Sequence, residues 1–201
     1  MRFSKEYLEK GIDLYKVMVT KVGERLDDLH AISEIMEVYC MKLQDYDTSL
    51  SNKGRQVLLY RFKDLKESIS ILEELKSYLK RNMDSLQEKY DSKEYRDVEI
   101  ELREAKTIKN MISTFVDVMM ENADSLLRLK GDVAKSLEKM HIEHDEDGEN
   151  FMKETGEEAL SLMEGYLNKI LEEEQSGVLR DGFVEAVLAK DEKDAIKKGR
   201  K

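Results

Sequence analysis

Apolar residues return every three or four positions over most of the first 142 residues. The first series is Leu8, Ile12, Tyr15, Val19, Val22, Leu26, Leu29, Ser33, Met36, Cys40 and Leu43, with Ser33 its one clearly polar member. Alternating steps of four and three make a seven-residue repeat with two inward positions, the pattern of helices packed in a left-handed supercoil. Leu14, Met18, Ile32, Ile35 and Tyr39 lie beside that series and widen it. A stripe this wide predicts more than one helical neighbour, and makes this face the candidate interaction face for a partner.

The stretch "DYDTSLSNKG", 45–54, interrupts the repeat with turn and cap residues. A second series follows through Leu58, Phe62, Leu65, Ile69, Leu72, Lys76, Leu79, Met83, Leu86 and Tyr90. After a break near "YDSKE", with Ser92 as cap, a third runs through Tyr95, Val98, Leu102, Ala105, Lys109, Ile112, Val116, Met119, Ala123, Leu126, Lys130, Val133, Leu137 and Met140. Lys109 and Lys130 stand in that seam; Gly131 next to Lys130 predicts a kink, or both lysines lay their stems along the seam. At ~1.5 Å per residue, such segments are rods of roughly 50 to 75 Å.

Beyond residue 142 the pattern weakens. The acidic run 143–150 is read as a connector. Residues 151–201 are read as a helical hairpin: one helix through Met152, Ala159, Met163, Tyr166 and Ile170, a turn at Gly177, a short helix through Val184, Val187 and Leu188, and a basic tail. The expected fold is all-α: an elongated antiparallel bundle of three long heptad-patterned helices over 1–142, followed by the shorter C-terminal hairpin.

Composition sharpens this picture. Charged residues make up 39% of the chain, aromatics 7%, and proline and tryptophan are absent, which suits long uninterrupted helices. The net charge is −10, most of the excess acid lying in residues 101–201, so no nucleic-acid partner is expected. Cys40 is the single cysteine, which leaves no intrachain disulfide and suits a reducing, cytoplasmic setting. No apolar run approaches the ~18 residues of a spanning helix, and the first residues lack the apolar core of a secretory signal. Signal-peptide-independent export would leave no trace in either pattern and stays open.

Candidate chemistry concentrates in "HIEHDEDGEN", 141–150. With Gly148 at the turn position, Glu143, Asp145, Asp147 and Glu154 occupy the oxygen-ligand positions of a calcium loop, and these twelve residues resemble an EF-hand loop. Glu143 stands where that family has Asp and Asn150 where it has an aliphatic residue, and the chain has no second loop. His141 and His144 are three apart and could join an aspartate on zinc or nickel. The plain alternative is a solvated acidic connector turning at Gly148. "EKMH", Glu138 to His141, and "DDLH", Asp27 to His30, approach the Glu-x-x-His pairs of di-metal bundles, but the inner registers of the second and third series hold no acid to complete one. Cys40 lies in an inner register and reads as a small buried apolar residue. Tyr60–Asp64, Tyr90–Glu94 and Tyr95–Glu99 match the Tyr-x-x-x-Asp/Glu tail motif of type VII secretion substrates, at a frequency chance accounts for. Three long helices also resemble BAR-like membrane scaffolds, although the negative charge opposes an anionic surface. No cofactor and no catalytic residue is expected.

These patterns predict a non-enzymatic scaffold, adaptor or assembly subunit with a helical protein partner, a homodimer being the simplest case. Ser33, Lys76, Lys109 and Lys130 are its candidate register or specificity markers. The competing expectations are an exported helical protein, a metal-responsive module and a membrane-surface scaffold.

Overall fold

The computed structural model describes residues 2–46, 49–142 and 145–175. Four helices hold most of them: α1 (Lys5–Asp45), α2 (Asn52–Asp91), α3 (Leu102–Lys139) and α4 (Glu146–Gln175). Two-residue strands β1 (Phe3–Ser4) and β2 (Tyr95–Arg96) pair in parallel, Phe3 opposite Tyr95. The protein is all-α, its three long helices packed against each other with a shorter helix after them. The hairpin expected over 151–201 begins as α4; its turn at Gly177 and the helix through Val184, Val187 and Leu188 lie outside the described residues.

The chain divides into two compact units. Unit 1 comprises Met1–Gly23, Glu74–Val118 and Glu172–Lys201; unit 2 comprises Glu24–Glu73 and Met119–Leu171.

In unit 2 the side-chain pairings order the four helices as a ring. Glu37 to Lys66 (3.1 Å) joins α1 to α2, Arg61 to Asp132 (3.1 Å) joins α2 to α3, Lys130 to Glu164 (3.7 Å) joins α3 to α4, and Asp28 to Lys169 (2.7 Å) returns α4 to α1. Each neighbour runs antiparallel to the last, the up-down-up-down arrangement that short connections favour. Across the ring, Tyr39 of α1 and Ser136 of α3 share a buried hydrogen bond of 2.8 Å. The acidic connector is shorter than 143–150, because α4 is already helical at Glu146.

In unit 1, α1 and α3 start side by side, and each sends an acid to the amides ahead of the other. Glu104 of α3, buried, accepts from the Ser4 backbone N–H (2.8 Å) and the Ser4 hydroxyl (2.6 Å). Glu6 of α1 accepts from the Ile100 N–H at 2.7 Å. Ser4 also caps α1 through the Tyr7 amide (3.2 Å), and Glu104 reaches back to the Glu101 amide (3.0 Å) as in a capping box. Amides that a helix start leaves without partners are thus satisfied across two helices. α2 ends where Lys93 takes φ 55°, with the Glu94 amide bonded to the Lys89 carbonyl at 2.9 Å, a Schellman-type stop made with lysine in place of glycine. That stop, with β2 after it, delays α3 to Leu102. Tyr95 and Val98, placed in the third series by spacing, therefore precede the helix, and Val98 is exposed.

Buried positions on α2 follow the expected seam: Leu58, Phe62, Leu65, Ile69, Leu72, Leu79 and Leu86. On α3 one expected column holds and the other is buried only at Ala123. Ala105, Ile112, Met119, Leu126 and Val133 are buried as spacing predicts, and so is Met140 just past the helix end. The second inward column is Ile108, Phe115, Asn122, Leu129 and Ser136, also at intervals of seven, displaced by one residue from the expected series through Lys109 and Lys130. The two lysines therefore do not interrupt the seam. Lys109 is exposed, and half-buried Lys130 reaches Glu164 of α4. α3 continues through Gly131 without a break.

Candidate functional site

The stretch whose spacing resembles a metal loop is, from Asp145 on, the start of α4. Asp145 is the N-cap: its Oδ1 accepts from the Gly148 amide at 2.8 Å. A Cβ on Gly148 would fall 2.5 Å from Asp145 Oδ2 and 3.0 Å from the Tyr46 ring, so glycine here permits close packing over the cap. Glu149, one turn in, collects three donors: Lys153 Nζ, the Ile142 amide at 2.9 Å and His141 Nδ1 at 2.8 Å. These contacts, Lys153 foremost and then the Ile142 amide, hold the Glu149 carboxyl at about 2, well below the usual carboxylate range. His141 is tied on its backbone side as well. Its amide donates to Ser49 Oγ (2.9 Å) and its carbonyl accepts from the Ser49 amide (2.9 Å). The segment after α3 is thereby stitched to the α1–α2 loop.

Asp147 and Glu154 are exposed on α4. Glu143 and His144 lie outside the described residues. Among the described residues no three His, Cys, Asp or Glu side chains are placed to hold a metal ion. Glu149, the acid with the most partners here, was not among the expected ligands. The signal for it was its spacing: four residues before Lys153, inside the first turn of a helix, where acids are favoured.

Other sequence candidates also resolve into structure. His30 faces Glu73 of α2 at 3.3 Å on the surface of unit 2, while Glu138 and His141 sit near the end of α3 and are exposed. Cys40 is buried, and burial pushes its thiol up to about 12, the opposite of an activated nucleophile.

Three of the five residues of the expected interaction face are withdrawn from the surface. Met18, Ile32 and Tyr39 are buried within the chain, and Leu14 and Ile35 are half-buried. In unit 2 the stripe of α1 serves three neighbouring helices, so Ile32 and Tyr39 are not available to a partner, and Met18 is buried likewise within unit 1. Ser33 is half-buried at the flank. Lys76, half-buried, lays its stem over Gly23: a Cβ there would meet Lys76 Nζ at 3.2 Å.

The polar residues that do stand in a core column are Asn122 and Ser136, and each meets a tyrosine. Tyr166 of α4 donates its hydroxyl to Asn122 Oδ1 at 2.5 Å, and Ser136 pairs with Tyr39. Asn122 Nδ2 has no hydrogen-bond partner among the described residues. A buried polar side chain in a seam costs stability and selects register.

The outer face of α2 in unit 2 is different in kind. Val57 and Ile71 are 37% and 55% exposed and lie fourteen residues apart, in one heptad column with Asp64 between them; Tyr60, one turn after Val57, is 61% exposed. Glu67, seven residues after Tyr60 in the same column, pairs with flanking Lys63 at 3.4 Å. Comparison of the chain with protein-family models, curated proteins and solved structures gives no match.

Proposed function

We propose that the chain is a non-enzymatic helical scaffold or assembly subunit that works by packing helix against helix with another protein, a second copy of itself being the simplest partner. The exposed heptad column of α2 carries this reading. Val57, Tyr60 and Ile71 repeat the spacing of a packing seam on a face that no described helix of unit 2 covers, and apolar side chains at that spacing, flanked by charges, are what a partner helix requires. This replaces the α1 stripe as the interaction face. No helix among the described residues is long and apolar enough to cross a membrane.

A photo-reactive amino acid at position 71 tests the reading in cells of the native source. Cross-links to a helical protein, or to a second copy, are expected in excess over those from position 157, an exposed site on α4. Equal yields at the two positions would remove the α2 face from consideration. In sedimentation equilibrium, Ile71→Glu with Tyr60→Glu should abolish concentration-dependent association while leaving helicity unchanged.

A further inference from the structure

An open groove of about 420 Å³ lies in unit 2 between the start of α2 and the end of α3. Its floor is apolar: Leu50 and Leu58 are buried there and Val57 forms one side. Ser136 also lines it, with its hydroxyl already committed to Tyr39. The rim is cationic. Lys53 comes from α2, Lys135 and Lys139 from α3, and all three are exposed. Among the described residues none of their ammonium groups has an ion pair or hydrogen bond. The acid at the edge, Asp132, is held by Arg61 at 3.1 Å.

Helix electrostatics explain only part of this. Lys135 and Lys139 occupy the last turns of α3, where the helix dipole favours cations. Lys53 stands in the first turn of α2, where the same dipole disfavours one, and that turn contains no acid. Three cations without an ion-pair partner among the described residues stand around one groove on a chain of net charge −10, and their local field is opposite in sign to that of the molecule.

We propose that this groove binds an acidic peptide segment of a partner protein, with one apolar side chain anchored on the floor of Leu50 and Leu58 beside Val57 and flanking carboxylates paired with Lys53, Lys135 and Lys139. A small oxyanion would use the rim and leave the floor in water. A bilayer surface is broad, whereas the recess between two helices is narrow. An extended acidic segment with an apolar anchor uses both parts, and its charges act at short range because salt screens beyond about 10 Å. The proposal rests on the reading that the chain works through protein contacts, and it names the chemistry of one such contact.

A display library of random 12-residue peptides, panned against the full chain and against the Lys53→Glu/Lys139→Glu variant, tests it. The wild-type chain should enrich acidic peptides with a central Leu, Ile, Phe or Met, at least about tenfold over the variant. Changing that apolar residue to Gly in a synthetic peptide should weaken binding about tenfold, and added NaCl should weaken it further. If charge reversal disturbs the fold by circular dichroism, the neutral variant Lys53→Gln/Lys135→Gln/Lys139→Gln replaces it. Enrichment of non-acidic peptides, or of the same peptides by both proteins, overturns the proposal, as does failure to enrich any. So does displacement of the peptide by inorganic phosphate, or lysine-dependent sedimentation with phosphatidylserine vesicles, either of which assigns the groove to another anion. Failure here with cross-linking at position 71 intact removes the groove and leaves the scaffold reading standing.

Discussion

Glu149, which no ligand pattern singled out, is the fastener of the stretch that resembles a metal loop. Its folded-state value of about 2 lies below the ~4.3 of a free glutamate, so its ionised form is stabilised by folding. That contribution is fully present above about pH 4.3 and is lost as pH falls through about 2. Urea midpoints for the protein and for Glu149→Gln should therefore differ most above pH 5 and converge toward pH 2. A constant gap across that range would mean that the carboxylate is not what holds the segment. Glycines make a second residue-scale test. A Cβ on Gly156 would meet Leu137 Cδ2 at 2.6 Å, Cδ1 at 3.0 Å and Cγ at 3.1 Å, so the whole branched end of the leucine is in the way. A Cβ on Gly11 would meet the tip of Leu86 alone, at 2.8 Å. Gly156→Ala should destabilise by about 1–2 kcal/mol, partly recovered with Leu137→Ala, whereas the overlap in Gly11→Ala is offset by the ~1 kcal/mol gain in helix propensity. Equal midpoints for the two single variants would contradict the packing described.

On the scale of the helix, the two buried tyrosine pairs are the features that distinguish one register from the next. Asn122 occupies a column whose other members in unit 2 are Leu129 and Ser136, and Tyr166 reaches it from α4. Tyr166→Phe alone should cost about 1–2 kcal/mol, because it leaves Asn122 buried with a further unmet bond. Asn122→Leu together with Tyr166→Phe should be more stable than Tyr166→Phe alone, with the coupling read from a double-mutant cycle in urea. The gain would come with weaker discrimination between registers, seen as broader side-chain methyl resonances. The same scale explains how far the helices were legible. α2 meets its neighbours in unit 2 along one seam, and its spacing named every buried position. α3 has to face the centre of the ring and α4 as well. Its columns at 108 and 109, each repeating by seven, both contain apolar residues: Phe115 and Leu129 in one, Val116 and Leu137 in the other. Periodicity alone does not say which column faces which neighbour. The lysines at 109 and 130 marked the column that leaves the centre, and Lys130 meets α4 there.

For the molecule as a whole, the balance between its charge and its exposed apolar side chains governs association. Two copies of net charge −10 repel each other, and salt screens that repulsion. If copies meet through the α2 column, raising NaCl should strengthen self-association, and Ile71→Ser should weaken it while shifting the urea midpoint by no more than about 0.5 kcal/mol. Ile32→Ala, buried in the ring, should instead cost about 2–4 kcal/mol of stability. Salt that weakens association would assign the contact to charge pairs and remove Ile71 from it. Groove binding at Lys53, Lys135 and Lys139 should respond to salt in the opposite sense, so the two surfaces separate in a single titration.

The sequence by itself determined the all-α class, the number and approximate extent of the long helices, and the whole seam of α2. Apolar spacing and cap residues act within one helix and need no knowledge of a neighbour. Tertiary structure decided which apolar columns were buried inside the chain and which remained exposed. It placed Met18, Ile32 and Tyr39 in the interior, left Tyr60 and Ile71 outside, and turned Asp145 and Glu149 into the fastening of α4. The physical reason is that burial belongs to pairs of helices. A wide apolar stripe looks the same in sequence whether its neighbours come from its own chain or from another, and an acid near a glycine looks the same whether it faces an ion or an amide.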